Sequence, residues 1–261
     1  MPTRYHSIFL LDRLQKTRGA DGYPSAIYKV VDSLDSQIYA LRYFKTIRVN
    51  PATVKTTLMK WFDVRHPGVV SLYSINQERG MVFFTHAYHP TAQTLKERFI
   101  DLRGPLLKES LIWRIFTQLI SALRVVHRKS LAIQSIRLQH VILTSGTVAR
   151  FNNVGVSDVL KSEGRASISA QQSDDLIMFG HLILSLATRA VVGPWNANDA
   201  LSLLSQHFTI ELHEAVSILL GGNTTAAQVE YMSFLYFPHR VLLFLSYPSN
   251  KYALSSFPSI L

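Results

Sequence analysis

Between residues 174 and 190 the chain reads DDLIMFGHLILSLATRA. Leu176, Ile177, Met178, Phe179, Leu182, Ile183, Leu184 and Leu186 are spread round nearly the whole circumference of a helix. A helix without a polar face cannot lie on a surface and must be surrounded by other elements. That requires a domain large enough to wrap it. A chain of 261 residues, 48% hydrophobic, supplies one as a single large domain or as two lobes. Ser173, followed by Asp174 and Asp175, reads as the N-cap and first-turn charges of this helix.

The elements around it come in two kinds. Residues 26–31 (AIYKVV) and 37–42 (QIYALR) are β-rich runs separated by Asp-Ser turn residues. A helix is predicted over about 51–62, with Pro51 in its first turn, and two further strands over 69–75 and 81–86. Between 110 and 127, Leu111, Ile112, Ile115, Phe116, Leu119, Ile120, Leu123 and Val126 form a stripe of period 3.6. Sheet first and helices second is therefore the predicted order.

Composition excludes several classes. The absence of cysteine rules out disulfides, thiolate catalysis and cysteine-based zinc sites, and it fits a reducing compartment. The N-terminal MPTRYHSIFLLDRLQ holds too short an apolar run for a signal-peptide core, and no segment is predicted to span a membrane. Asn223-Thr224-Thr225 is a glycosylation triplet, read here as chance. The net charge of +10 suits either an anionic partner such as RNA or an ordinary solvated basic face. The most localised basic run is 45–62, with Lys45, Arg48, Lys55 and Lys60 and no acid.

Four marks resemble a protein kinase in order and spacing. Tyr39-Ala40-Leu41-Arg42 falls where V-A-I-K is expected, and Arg65-His66-Pro67-Gly68-Val69-Val70 resembles the link from the regulatory helix to the next strand. Ala149 to Ser157 overlays the strand ending in D-F-G, and Asp175 to Gly180 overlays the start of the central helix. The resemblance implies an α+β, bilobal protein-kinase-like fold, catalytically degenerate, with a β-rich N-terminal lobe at about 5–86 and an α-helical C-terminal lobe at about 91–232.

The frame is kept, but its chemistry is not. The positions of H-R-D-L-x-x-x-N read Ile133 to His140. Ser135 stands where a carboxylate must accept the hydroxyl proton, and His140 stands where an Asn holds Mg²⁺. Asn153 replaces the D-F-G aspartate, the other metal anchor. Arg42 replaces the strand lysine and can still grip phosphate, but residues 51–62 hold no carboxylate to pair with it. Gly19 and Gly22 in RGADGYPSA do not have G-x-G-x-x-G spacing. Ile133 and Val154 put apolar side chains where kinases carry His and Phe, and are expected in a packed column joining the lobes. Asp158, the one nearby carboxylate, reads as a solvated loop residue, and His86-x-x-His89 lacks a third ligand, so no metal site is expected.

A narrower resemblance rests on residues 83–95 (FFTHAYHPTAQTL), on 111–119 with Ala122, Leu123 and His127, and on Asp174-Asp175-Leu176 with Phe179-Gly180 and 182–186. Over about 5–232 the chain is similar to the pseudokinase-bearing regulatory subunit of the poly(A)-nuclease (PAN) deadenylation complex. The resemblance implies a cytoplasmic, P-body-associated adaptor that brings the catalytic exonuclease subunit to poly(A) tails carrying poly(A)-binding protein. It also implies homodimerisation through a following coiled coil, a C-terminal knob that holds the nuclease, and Mg-independent ATP binding without phosphorylation. Carried over, the nucleotide site would be Arg42, the hinge Ala87, Tyr88, His89, Pro90, Thr91, Ala92, Gln93 and Thr94, and the loop pair Gln139-His140. Two departures, Gln139-His140 and Ala92-Gln93, each replace the family's Ser-Lys and weaken the expected affinity for ATP.

The family's zinc-finger and docking segments, coiled coil and knob are not recognised in these residues, so this stretch alone is not expected to recruit the nuclease. Residues 233–261 are apolar, free of acid and broken by Pro238, Pro248 and Pro258; they read as an aberrant tail. The alternative reading is an unrelated scaffold pseudokinase without an RNA role.

Overall fold

A computed structural model describes residues 4–11, 24–45, 49–78, 80–102, 104–161, 164 and 166–236. The first part is a five-stranded antiparallel sheet made of β1 (Tyr5–Leu10), β2 (Ser25–Asp32), β3 (Ile38–Lys45), β4 (Leu72–Glu78) and β5 (Met81–Ala87), in the order β1-β2-β3-β5-β4. The β2–β3 turn is built by carboxylates. Asp32 Oδ1 accepts from the Leu34 N–H at 3.0 Å, Asp35 Oδ1 accepts from the Gln37 N–H at 2.8 Å, and Ser36 takes φ 58° between them. Buried Asp32 also takes the guanidinium of Arg4, tying the chain before β1 to the end of β2.

Alternation along the strands separates two apolar clusters. On one face Tyr5, Val30, Leu41 and Phe83 form a small cluster. On the other, Phe44, Val82 and Phe84 join a core that continues through Trp61 into the helical lobe. Ile133 and Val154 are both buried in that shared core, so the column expected to join the lobes is present.

Between β3 and β4 lies α1 (Pro51–Phe62). Pro51 occupies its first turn, and the Asn50 side chain caps it by accepting from the Ala52 N–H at 2.9 Å. After β5 come β6 (Gln93–Thr94), a π-helical turn at Lys96–Ile100, and α2 (Glu109–Arg128), whose predicted stripe is buried apart from half-buried Leu111. The hairpin of β7 (Val141–Thr144) and β8 (Val148–Phe151) follows, with β6 added to its edge, then short α3 (Val156–Leu160). Next is α4 (Ile168–Thr188), the helix without a polar face, packed by α2, α5 (Ala197–His207) and α6 (Ile210–Gly221). Helix α7 (Ala226–Tyr236) closes the bundle, fixed to α2 by Arg124 Nε and Glu230 Oε2 at 2.5 Å.

Several expectations change. β1 was not anticipated, because left-handed Ser7 (φ 51°) and a register shift between His6 and Phe9 interrupt its alternation. β4 begins at Leu72 rather than Val69, which makes one parallel bridge to Phe151. α4 begins six residues before the expected start: Ser167 caps it by accepting from the Ala170 N–H, while Ser173 lies inside the helix and donates to the Gly222 carbonyl at 2.7 Å. α7 runs through 233–236, where the tail was placed, and residues 237–261 lie outside the described residues. So do Arg48 of the basic run and Gly19 and Gly22 of RGADGYPSA.

Candidate functional site

The predicted nucleotide residues fall around the junction of the lobes. Arg42 sits half-buried in the middle of β3, paired in register with Ile27 of β2 and Phe84 of β5. Its charge acts on His86, two residues beyond Phe84. Burial, together with that charge, pushes the His86 imidazole down to about 4 against the pull of its hydrogen bond to the Val154 carbonyl. A neutral ring facing a carbonyl must carry its proton on Nε2, so His86 donates to Val154 O, at 3.1 Å. Sequence reasoning weighed His86 only as half of a metal pair. The structure buries it, and no cluster of three or more possible metal ligands occurs among the described residues.

The hinge leaves β5 at Ala87, whose N–H donates to the Ser71 carbonyl at 2.9 Å. Tyr88 is half-buried with the Lys29 ammonium 5.5 Å above its ring. His89 is also half-buried, and burial with the Arg150 charge lowers its pKa. Pro90 and Thr91 are exposed, Thr91 in a left-handed turn (φ 58°) that brings the Ala92 N–H to the His89 carbonyl. Gln93 and Thr94 pair with Leu143 and Ile142, so β6 and β7 attach the hinge to the strand that follows Gln139-His140. Thr94 is occupied as a cap: its N–H and hydroxyl both donate to Glu97 Oε2, at 2.8 and 3.0 Å, and its hydroxyl accepts from the Glu97 N–H.

On the helical side Gln139 is half-buried and His140 is buried with Nδ1 3.1 Å from the Ser135 carbonyl. The His140 carbonyl accepts from the Asn152 N–H at 2.8 Å. Ser135 is 2% exposed, and its hydroxyl has no hydrogen-bond partner among the described residues. Asn153 is 1% exposed in a left-handed conformation (φ 67°), which Asn tolerates better than most residues. No carboxylate stands at any of the three degenerate positions.

Two polar centres beneath the site were missed. Asp175, fully buried on α4, accepts from the Ile133 and Gln134 N–H groups at 2.7 and 2.6 Å and lies 3.0 Å from His127 Nε2 on α2. It organises the loop rather than starting its own helix. Asp158, read as solvated, is 7% exposed and accepts from Trp61 Nε1 at 2.5 Å and Gln134 Nε2 at 2.9 Å. Val156, Val159 and Leu160 around it, one turn of apolar residues after Gly155, were the signal that it faces inward. A separate open cleft of about 440 Å³ lies between α1 and the start of α4, lined by Thr53, Thr56, Thr57, Lys60, Asp158 and Gln171, and it includes none of the predicted nucleotide residues. No described helix is long and apolar enough to cross a membrane.

No protein-family model matches the chain. Among curated proteins it is 30% identical over 230 residues to the PAN2-PAN3 deadenylation complex subunit pan3 of Dictyostelium discoideum, covering 84% of this chain and 31% of that one. It is 28% identical over 249 residues to the subunit of that name from Chaetomium globosum, covering 89% and 38%. The chain thus spans about a third of the length of these relatives. Among solved structures it is similar to the Neurospora crassa complex of PAN2 (WD40-CS1) with PAN3 (pseudokinase and C-term), at 22% identity and TM-score 0.87, over 97% of this chain and 66% of that one. For the Drosophila melanogaster PAN3 pseudokinase the values are 22%, 0.81, 97% and 71%. The fold is kinase-like.

Proposed function

With a chain that resembles PAN3 subunits of the PAN2-PAN3 deadenylation complex over 84% of its length as the premise, we propose that it is the pseudokinase part of such a subunit. In this reading it is a non-catalytic adaptor in cytoplasmic shortening of mRNA poly(A) tails. Its partner is an exonuclease subunit of the PAN2 kind, engaged by regions beyond those described, with poly(A)-binding protein and a second copy of the full-length protein as further partners.

One observation carries the non-catalytic part. His140 turns its ring onto the Ser135 carbonyl, so the loop that should hold a base and a metal ligand bonds to itself. Phosphoryl transfer is positioning plus charge stabilisation, and here Ser135 and Asn153 stand where its two carboxylates would be.

The residues partly fit ATP. Arg42, half-buried at the lobe junction, would hold its phosphates, and the hinge from Ala87 to Gln93 with Gln139 would line the rest. Thr94, engaged with Glu97, would contribute shape rather than its hydroxyl. Bound ATP would supply only an occupied pocket, and the absence of carboxylates makes that binding independent of Mg²⁺.

The test is co-purification of the full-length gene product with an exonuclease subunit of the PAN2 kind. The reading predicts a stable complex. Its absence, with both proteins folded, contradicts the adaptor role.

A further inference from the structure

A kinase fixes its regulatory helix with a carboxylate carried by that helix. The residues of α1, PATVKTTLMKWF, contain none. The helix is held at its other end. Trp61, 2% exposed in its last turn, directs its indole N–H at Asp158 Oδ2, 2.5 Å away on α3. Asp158 Oδ1 takes the side-chain amide of Gln134 at 2.9 Å. Gln134, left-handed at φ 58°, passes its own N–H to Asp175, which His127 contacts from α2. Five residues on five segments thus form one polar chain from the helix of the N-terminal lobe to the centre of the C-terminal lobe.

Packing supports the same junction. Gly155, at φ 77°, lies so close that an added Cβ would meet Leu72 Cδ2 at 2.8 Å, Trp61 at 3.4 Å and Thr57 at 3.5 Å. Nearby, the Thr53 and Thr56 side of α1 borders the open cleft. Below it, α1 meets the helical lobe at α3. Both partners are buried, and a hydrogen bond away from water is electrostatically stronger than one in solvent.

We propose that the Trp61–Asp158 bond is the clamp that fixes α1 and sets the closure of the two lobes, replacing the ion pair of an active kinase and acting without nucleotide or metal. Asp158 is then a positioning residue. Closure is set before any ligand arrives, and the surface offered to a partner is constant whether the pocket is filled or empty.

The test is amide hydrogen exchange on the full chain without nucleotide, comparing the unsubstituted protein with Trp61→Phe, Asp158→Ala and the double variant. Each single change should speed exchange of the amides in 51–62 by about tenfold while leaving those of α2 and α4 unchanged. The double variant should be no faster than the faster single one, because the bond that Trp61→Phe removes is already lost in Asp158→Ala. Unchanged α1 exchange, multiplied effects in the double variant, or equal acceleration of α4 would overturn the clamp. If the variants do not fold, the unsubstituted protein still decides. Of the three indole N–H signals, Trp195 is 76% exposed and should exchange fast, whereas Trp113, bonded to Glu109, and Trp61 should both be slow. Only one slow signal would refute the bond.

Discussion

His86 on β5 donates its Nε2–H to the carbonyl of Val154, the residue after Asn153, across 3.1 Å of buried interior. Protonation of the ring would put a charge where no water reaches, which is why burial, aided by the Arg42 charge, holds its pKa near 4 against the ordinary 6.5. The stability this gives is complete above the ordinary value and is lost as pH falls through the window from 6.5 to about 4. Glutamine keeps a donor but does not titrate. Between pH 7 and pH 5 the unsubstituted protein should therefore lose roughly 2 kcal/mol relative to His86→Gln, read from urea unfolding. Parallel behaviour of the two proteins would count against a buried neutral ring. His66, held down to about 4 chiefly by burial, titrates in the same direction and cancels in this comparison.

Asp175→Ala should be among the most damaging single changes. It leaves the Ile133 and Gln134 N–H groups buried without their acceptor and removes the partner of His127. A cost of about 3 to 5 kcal/mol is expected from denaturant unfolding. A cost below about 1 kcal/mol would mean that the loop is held by something else.

Gly155→Ala combines a left-handed backbone (φ 77°) with a Cβ only 2.8 Å from Leu72. The expected loss is about 1 to 3 kcal/mol, while Gly146→Ala, also left-handed but with open space around it, should cost only the backbone part, about 1 kcal/mol. Equal costs at the two positions would remove the packing argument.

These residues also show what the sequence could and could not reveal. Period and composition marked α2 and the all-apolar α4, because a buried helix face leaves a pattern within one segment. The start of α4 was misplaced because QQSDD reads as a polar entry, whereas Asp175 is polar in order to bond a loop some 40 positions earlier. Asp158 was misread for the same reason, since its partner Trp61 lies 97 positions away. Motif order picked out Arg42, Asn153 and the hinge as candidates. It could not show that the Thr94 hydroxyl is taken by Glu97, a matter of local capping geometry.

The basic surface makes its own prediction. Lys55 and Lys60 are exposed on α1, which carries no acid. Binding of poly(A) RNA to the full chain should weaken steeply as salt rises, and Lys55→Glu with Lys60→Glu should flatten that slope. Affinity that is indifferent to salt would favour an ordinary solvated face.

We propose above that this kinase frame holds ATP and does not turn it over. The direct measurement is thermal unfolding of the full chain with ATP, with and without Mg²⁺, beside an assay for ADP release. ATP at about 100 times its dissociation constant should add roughly 2.7 kcal/mol, a rise of about 5 to 10 °C. The rise should be the same with and without Mg²⁺ and should be lost in Arg42→Ala, and no ADP should form. Mg²⁺-dependent ADP release by the unsubstituted protein would contradict this proposal.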